Sequence, residues 1–163
     1  MITYIVGDAT HPIGDGKKFI IHVCNDRGGW GRGFVLAISA RWSSPERCYR
    51  LFHRMGKDFG LGRVQRCWVE ENIEVFNMIA QRGYGPTNSE LHRIDGQSDA
   101  EVPLQLDQLA HCLQQVSDIA RLESASVHMP RIGCGLAGGK WKDIEPIIEA
   151  TMKDVPVFVY DLA

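Results

Sequence analysis

The chain has 163 residues, enough for one compact domain and no more. Apolar residues make up 44% and charged residues 23%, which excludes a disordered or low-complexity chain, while seventeen glycines imply many turns. The formal net charge of −2 lacks the Lys/Arg excess of a dedicated polyanion or membrane-surface binder, so no general nucleic-acid binding is expected.

Residues 2–6 (ITYIV) are β-branched and aromatic and stop at Gly7-Asp8, which predicts a first strand. Residues 18–24 form a nearly continuous apolar run, as a strand covered on both faces would. A glycine-dense loop, NDRGGWGRG over 25–33, follows it. Phe34, Val35, Ile38 and Trp42 then recur at the spacing of a helix with one buried face. Ser44-Pro45 opens a second helix, where Pro45 is tolerated in the first turn. Gly56, Gly60 and Gly62 punctuate a turn before strands over 63–69 and 73–80. Residues 81–100, rich in Gly, Pro, Asn, Ser and Asp, read as a long surface loop, which at this length is a lid, a binding segment or disordered. Leu106, Leu109, Leu113, Val116 and Ala120 mark a helix ending near 122. A short strand over 126–129, a second glycine-rich loop over 130–139, a helix over 141–152 with Pro146 near its start, and a strand over 157–160 close the chain.

Strands alternating with helices imply a sheet with parallel strands and helices on both faces. Ligands of such sheets sit outside the carboxyl ends of the strands. Both glycine-rich loops follow strands, so both are expected at that edge. In RIGCGLAGG over 131–139, glycine permits positive φ and close approach, leaving amides free to face an anion, and the next helix adds its positive end. A diphosphate is the natural occupant, and the loop over 25–33 supplies a second arc around it. The chain holds no G-x-x-x-x-G-K-[ST], and the stretch from Gly31 lacks the third glycine of G-x-G-x-x-G, which leaves P-loop and Rossmann sites unsupported. Cys24, Cys48, Cys67, Cys112 and Cys134 are odd in number and form no C-x-x-C pair, so neither zinc nor a disulfide scaffold is indicated. No apolar run approaches the ~18 residues of a membrane span, and no basic-then-apolar leader opens the chain. A cytoplasmic monomer without metal or cofactor is expected.

Four ordered motifs carry a resemblance to a family: Gly7-Asp8-Ala9-Thr10, HVCNDRGGWGRG over 22–33, MPRIGCGLAGGKW over 129–141, and VFVYDL over 157–162. Together they resemble the macrodomain, and more narrowly its compact branch of terminal ADP-ribose protein glycohydrolase and ADP-ribose 1″-phosphate phosphatases. The resemblance implies a single three-layer α/β/α macrodomain over 1–163, with a mixed, mostly parallel sheet of about six strands. It implies that ADP-ribose, free or carried on a macromolecule, is the ligand or substrate moiety. Asp8 would accept the adenine amino group, and the Ala9 amide would read a ring nitrogen. Asn25 would face the distal ribose, and Leu162 would pack beside adenine. Trp30, Gly31, Arg32, Gly33, Phe34 and Val35, with Arg131, Ile132, Gly133, Cys134, Gly135, Leu136 and Ala137, would form the phosphate and ribose loops, chiefly through main-chain N–H groups. Tyr160 is a further ligand-binding candidate.

Plainer readings of the same residues stand beside these. Asp8 before a threonine suits a turn cap, and Asn25 suits a left-handed turn. Phe158 and Tyr160 are expected to divide between core and edge, and His22 to be a satisfied core histidine. Cys134 reads as a packing residue, since no His-and-acid set lies near it in sequence.

The family pattern breaks at two places. The glycohydrolase of this branch uses a lysine just after the strand matching 73–80 and an aspartate directly after GCGL; here those places hold Gln81-Arg82 and Ala137. Glutamine and arginine cannot form a Schiff base and alanine cannot move a proton, which removes the lysine-adduct route. A water trapped beside the anomeric carbon or the 1″ substituent is the remaining route, since positioning is worth up to ~7–11 kcal/mol. Asn25 and Asp26 are its catalytic candidates, with Arg27, Gln81 and Arg82 as neighbouring polar groups. Two classes stay open: a hydrolase at the distal ribose, favoured by a length that leaves no room for an effector module, and a non-catalytic reader, favoured by the missing lysine and aspartate.

Overall fold

The computed structural model describes residues 1–83, 103–135 and 137–163, so the loop expected over 81–100 lies outside it from residue 84 on, as does Leu136. The elements, in chain order, are β1 (Ile2–Val6), β2 (Lys18–Asn25), α1 (Phe34–Arg41), α2 (Ser44–Met55), β3 (Val64–Glu70), β4 (Ile73–Gln81), α3 (Leu106–Glu123), β5 (Ser126–Met129), α4 (Trp141–Thr151) and β6 (Val157–Asp161). Each falls within one residue of the bounds predicted from sequence. Pro146 sits inside α4, past its first turn, so the carbonyl of Lys142 has no helical N–H to accept.

The described strands form one sheet in the order β1-β6-β5-β2-β4-β3. Every neighbouring pair is parallel except the antiparallel β3–β4 edge, which gives the mixed, mostly parallel sheet. β2 and β4 are buried on both faces, which is why their sequences read as apolar runs without alternation. Successive residues still face opposite ways. Phe19, Ile21, Phe76 and Met78 join Leu109, Leu113, Ile144 and Ile148 of α3 and α4 in one core. Ile20, Cys24, Val75 and Ile79 join Ile38 of α1 and Tyr49 of α2 in the other. That is a three-layer α/β/α arrangement.

The first helix pair covers β2, β3 and β4, and leaves the same face of β5 and β6 to the connection that follows β1. There the interior is polar. Tyr160 Oη accepts the amide of Ile13 at 3.0 Å and is hydrogen-bonded to His128 Nδ1 at 2.7 Å. His128 Nε2 in turn is hydrogen-bonded to Ser126 Oγ at 2.7 Å. Phe158 lies flat on His128, with ring centroids 5.0 Å apart. Phe158 and Tyr160 therefore share a face, as period-two alternation at i and i+2 requires, and Tyr160 is buried there while Phe158 is only partly so. Lys18 closes the connection by donating to the carbonyls of Gly14 at 2.9 Å and Gly16 at 3.0 Å.

Chain direction now places the site. β1, β6, β5, β2 and β4 all run the same way, so their carboxyl ends share one edge. From β5 the chain crosses through α4 to β6 on one side; from β2 it crosses through α1 and α2 toward β4 on the other. The crossovers diverge between β5 and β2, the switch point where open α/β sheets bind ligands.

Candidate ligand-binding site

The loop after β2 is shaped by its first residue. Asn25 Oδ1 accepts the amides of Arg27 at 2.9 Å and Gly29 at 3.1 Å, while Nδ2 donates to the Gly29 carbonyl at 2.9 Å. Asn25 is not among the left-handed residues, so its value here is side-chain hydrogen bonding and not a tolerated positive φ. Trp30 turns its ring into the core, 4% exposed, and donates its indole N–H to Ser39 Oγ at 2.8 Å. With these side chains inward, Gly31, Arg32 and Gly33 are left exposed. Gly33 caps α1 at φ 82° with no side-chain cap, and no acidic residue stands in the first turn. Among the described residues nothing accepts the amides of Gly31, Arg32, Gly33, Phe34 or Val35. A helix start left open in this way attracts an anion.

The loop after β5 lies beside it, because β5 and β2 are neighbours. Its turn closes on itself, Gly139 donating to the Gly133 carbonyl at 2.7 Å and Gly138 to that of Gly135 at 3.0 Å. Ile132 and Ala137 are buried as its props, and Leu104 donates its amide to the Ala137 carbonyl at 3.0 Å. Gly135 is exposed with nothing within 4 Å of where a Cβ would stand. The amides of Ile132, Cys134 and Gly135 find no acceptor among the described residues.

Several candidates have side chains committed elsewhere in the fold. Arg131 binds Asp161 with Nε at 2.7 Å and Nη2 at 3.0 Å, its guanidinium lying over Tyr4 and Trp141. Cys134 leans on the Ile132 carbonyl at 3.6 Å, and burial raises its thiol pKa against the opposing pull of Arg131, the reverse of what a nucleophile needs. Asp26 is committed too: its Oδ1 accepts the amide of Gly83 at 2.8 Å, and its own N–H meets the Gln81 carbonyl at 2.9 Å. Gln81 donates to the Gly83 carbonyl at 2.9 Å.

At the other end of the edge, Asp8 follows β1. Its Oδ1 accepts both the amide and the hydroxyl of Thr10 at 2.8 Å, the turn cap that sequence suggested. Oδ2 lies 3.3 Å from the ring of His11. Partial burial pushes the carboxyl upward, but the Thr10 and His11 bonds together hold it below the usual carboxylate range. Asp8 is therefore an anion with an acceptor facing out. Ala9 and Thr10 beside it are buried, while Leu162 beyond β6 is exposed.

His22 is a core histidine: Nε2 donates to Asn77 Oδ1 at 2.6 Å, and desolvation lowers its pKa to about 4. All five cysteines are free thiols. Sequence reasoning gave no notice of Tyr49, Leu104 or His128, which hold the loops from a distance. No local pattern marks them.

Taken together, these features define a class: an α/β/α domain presenting two amide-lined loops from adjacent parallel strands, with a carboxylate beside the first strand. No family model matches the chain. It is similar to the solved structure of a macrodomain protein from Streptomyces coelicolor, 45% identical, with 99% of each chain covered and a TM-score of 0.81. The chain belongs to the macrodomain family. Curated relatives are more distant. It is 27% identical to the chromodomain-helicase-DNA-binding protein 1-like of Mus musculus across 98% of this chain, and spans 17% of that protein's length. It is 23% identical to an ADP-ribose 1″-phosphate phosphatase of Lodderomyces elongisporus, with 98% of this chain and 99% of that protein covered. No described helix is long and apolar enough to cross a membrane. Among the described residues no group of three His, Cys, Asp or Glu side chains could hold a metal ion.

Proposed function

We propose that this macrodomain binds ADP-ribose along the carboxyl edge of its sheet and hydrolyses an ester at the distal ribose. The substrate would be ADP-ribose 1″-phosphate or ADP-ribose attached to a protein or nucleic acid. One observation carries the reading: unpaired amides from the loops after β2 and β5 lie at neighbouring strand ends, with ionised Asp8 farther along the same edge. Amides of this kind suit a diphosphate, and a carboxylate suits the amino group of adenine. The phosphatase relative supports the choice of ligand.

No lysine takes part in this chemistry. Gln81 and Arg82 stand where the adduct-forming lysine would be, and Ala137 stands where a proton-moving aspartate would be. Attack falls to a water held between the loops. Its oxygen bonds to the phosphorus or the anomeric carbon as the bond from that atom to the leaving oxygen breaks, and the proton the water gives up ends on the leaving oxygen. Asn25 and Asp26 contribute by fixing the loop that holds this water, since their oxygens already bind amides.

That same commitment favours a second reading, a reader that binds ADP-ribose without turnover, because neither side chain is left as a free general base. The deciding experiment incubates the protein with ADP-ribose 1″-phosphate and with singly ADP-ribosylated protein and DNA, followed by product analysis. Release of phosphate or free ADP-ribose selects the hydrolase. Calorimetric binding of ADP-ribose with no release selects the reader, and no binding removes both.

A further inference from the structure

We infer that two buried tyrosine hydroxyls, Tyr49 and Tyr160, position the two halves of the candidate site independently, Tyr49 the loop after β2 and Tyr160 the turn that carries Asp8. What each half would bind rests on the ADP-ribose reading above; the anchoring itself does not.

Tyr49 lies on the inner face of α2 with its ring fully buried between Trp30, at 5.5 Å between centroids, and Phe59, at 6.0 Å. Its hydroxyl reaches both ends of one turn. It donates to the Asn25 carbonyl at 2.6 Å, with Asn25 Oδ1 at 2.9 Å, and accepts the amide of Gly28 at 3.1 Å. Neighbours on α2 grip the same spot. Arg50 Nη1 donates to the Gly28 carbonyl at 3.0 Å, and a Cβ on Gly28 would stand 2.4 Å from Nδ1 of His53. Gly28, at φ 81°, thus lies flat against α2. The loop's shape is set by a helix and its direction passes on to the amides of residues 31–35. Tyr49 points into the protein, so it acts through the loop and is a positioning residue.

Tyr160 does the equivalent on the other side of the switch point. It accepts the amide of Ile13 and is hydrogen-bonded to His128, whose other nitrogen is satisfied by Ser126. Ile13 belongs to the connection that begins with Asp8, Ala9 and Thr10. The hydroxyl partners differ, Asn25 and Gly28 for Tyr49 and Ile13 and His128 for Tyr160, and the bond from Arg41 Nη1 of α1 to the Thr10 carbonyl involves neither tyrosine. Tyr49 lies on α2 and grips the loop after β2, whereas Tyr160 lies on β6, and β5 stands between β2 and β6 in the sheet. Energetic independence is what such separation gives.

The test uses Tyr49→Phe and Tyr160→Phe, which keep both rings and remove only the hydroxyls. Amide hydrogen exchange in the ligand-free protein is the first readout. Tyr49→Phe is expected to speed exchange at residues 26–29 about tenfold and leave residues 11–16 unchanged, and Tyr160→Phe to do the reverse. Acceleration of both segments by either variant, or of neither, overturns the inference. The second readout compares ADP-ribose with AMP, which lacks the distal phosphate and ribose. Tyr49→Phe should weaken ADP-ribose about tenfold more than AMP, and Tyr160→Phe should weaken both by the same factor; equal weakening of both ligands by Tyr49→Phe also overturns it. Arg50→Met, at the exposed end of the same grip, should repeat the Tyr49 pattern at smaller size and covers a Tyr49 variant that fails to fold. Crossed exchange effects in a protein that binds no ADP-ribose would leave the anchoring standing and refute the functional reading.

Discussion

Arg131 and Asp161 form a two-pronged ion pair, Nε to Oδ1 at 2.7 Å and Nη2 to Oδ2 at 3.0 Å, that joins the head of the second glycine loop to the end of β6. The guanidinium is thereby spent on the sheet and on the rings of Tyr4 and Trp141. Arg131→Gln is expected to change ADP-ribose affinity less than about threefold. Because both side chains are about 40% exposed, it should lower stability by no more than about 1 kcal/mol. Calorimetric titration and denaturant unfolding check the two numbers; a hundredfold loss of affinity would put the guanidinium in the binding site.

Two glycines of the same loop separate space for a ligand from space for the fold. Neither Gly135 nor Gly139 has a positive φ, so a side chain meets no backbone strain at either. A Cβ on Gly135 meets nothing within 4 Å, whereas one on Gly139 stands 2.6 Å from the Gly133 carbonyl and 2.5 Å from Leu104. Gly135→Val should leave the melting temperature unchanged and weaken ADP-ribose at least tenfold by filling the cradle. Gly139→Ala should lower stability by about 1–3 kcal/mol, the cost of overpacking against backbone. Thermal unfolding of both variants, with binding measured on the first, gives the comparison.

These glycines show what was legible from sequence and what was not. Runs such as 18–24 and 73–80 read as central strands because two covered faces demand apolar residues throughout, and glycine-rich segments after strands read as ligand loops because only backbone chemistry distinguishes them. Contacts across the fold left no such trace. Tyr49 meets Asn25 from 24 residues away and His128 meets Tyr160 across 32, and nothing in the local pattern of a helical tyrosine or a strand histidine marks either partner. Asn25 is instructive in a different way. Its position was legible, but its use was not, because an asparagine suited to a left-handed turn is equally suited to bind that turn with its amide.

Burial of two histidines sets the response to acid. Desolvation lowers both His22 and His128 to about 4, the charge of Lys18 adding to the effect at His128. In the unfolded chain both return to about 6.5, so between those values the unfolded state binds more protons. The stabilisation is complete above about pH 6.5 and is lost as the pH falls toward 4. Two protons taken up on unfolding correspond to a slope of roughly 2.7 kcal/mol per pH unit near pH 5. Denaturant unfolding across pH 4–7 measures that slope, and His128→Gln should halve it; a flat profile in this window would mean the histidines are charged in the folded protein.

Asn25 and Asp26 were the sequence-level candidates for chemistry, and their bonds separate two ways of mattering. Asn25 organises the loop by accepting two amides and donating to one carbonyl, while Asp26 tethers the Gly83 amide across to the end of β4. Asn25→Ala leaves two loop amides and one carbonyl without partners, so ADP-ribose binding should weaken at least tenfold. Stability should fall by about 1–3 kcal/mol, the cost of unsatisfied polar groups. Asn25→Asp keeps the acceptor but faces the Gly29 carbonyl with an oxygen in place of an N–H, so it should fail nearly as badly as alanine. Asp26→Ala releases one partner and should cost binding less than fivefold. With ADP-ribose 1″-phosphate as substrate, loss through loop geometry appears mainly as a higher KM for both residues. A fall in kcat of a hundredfold or more for Asp26→Ala with KM unchanged would instead give that carboxylate a direct part in moving the proton of the attacking water.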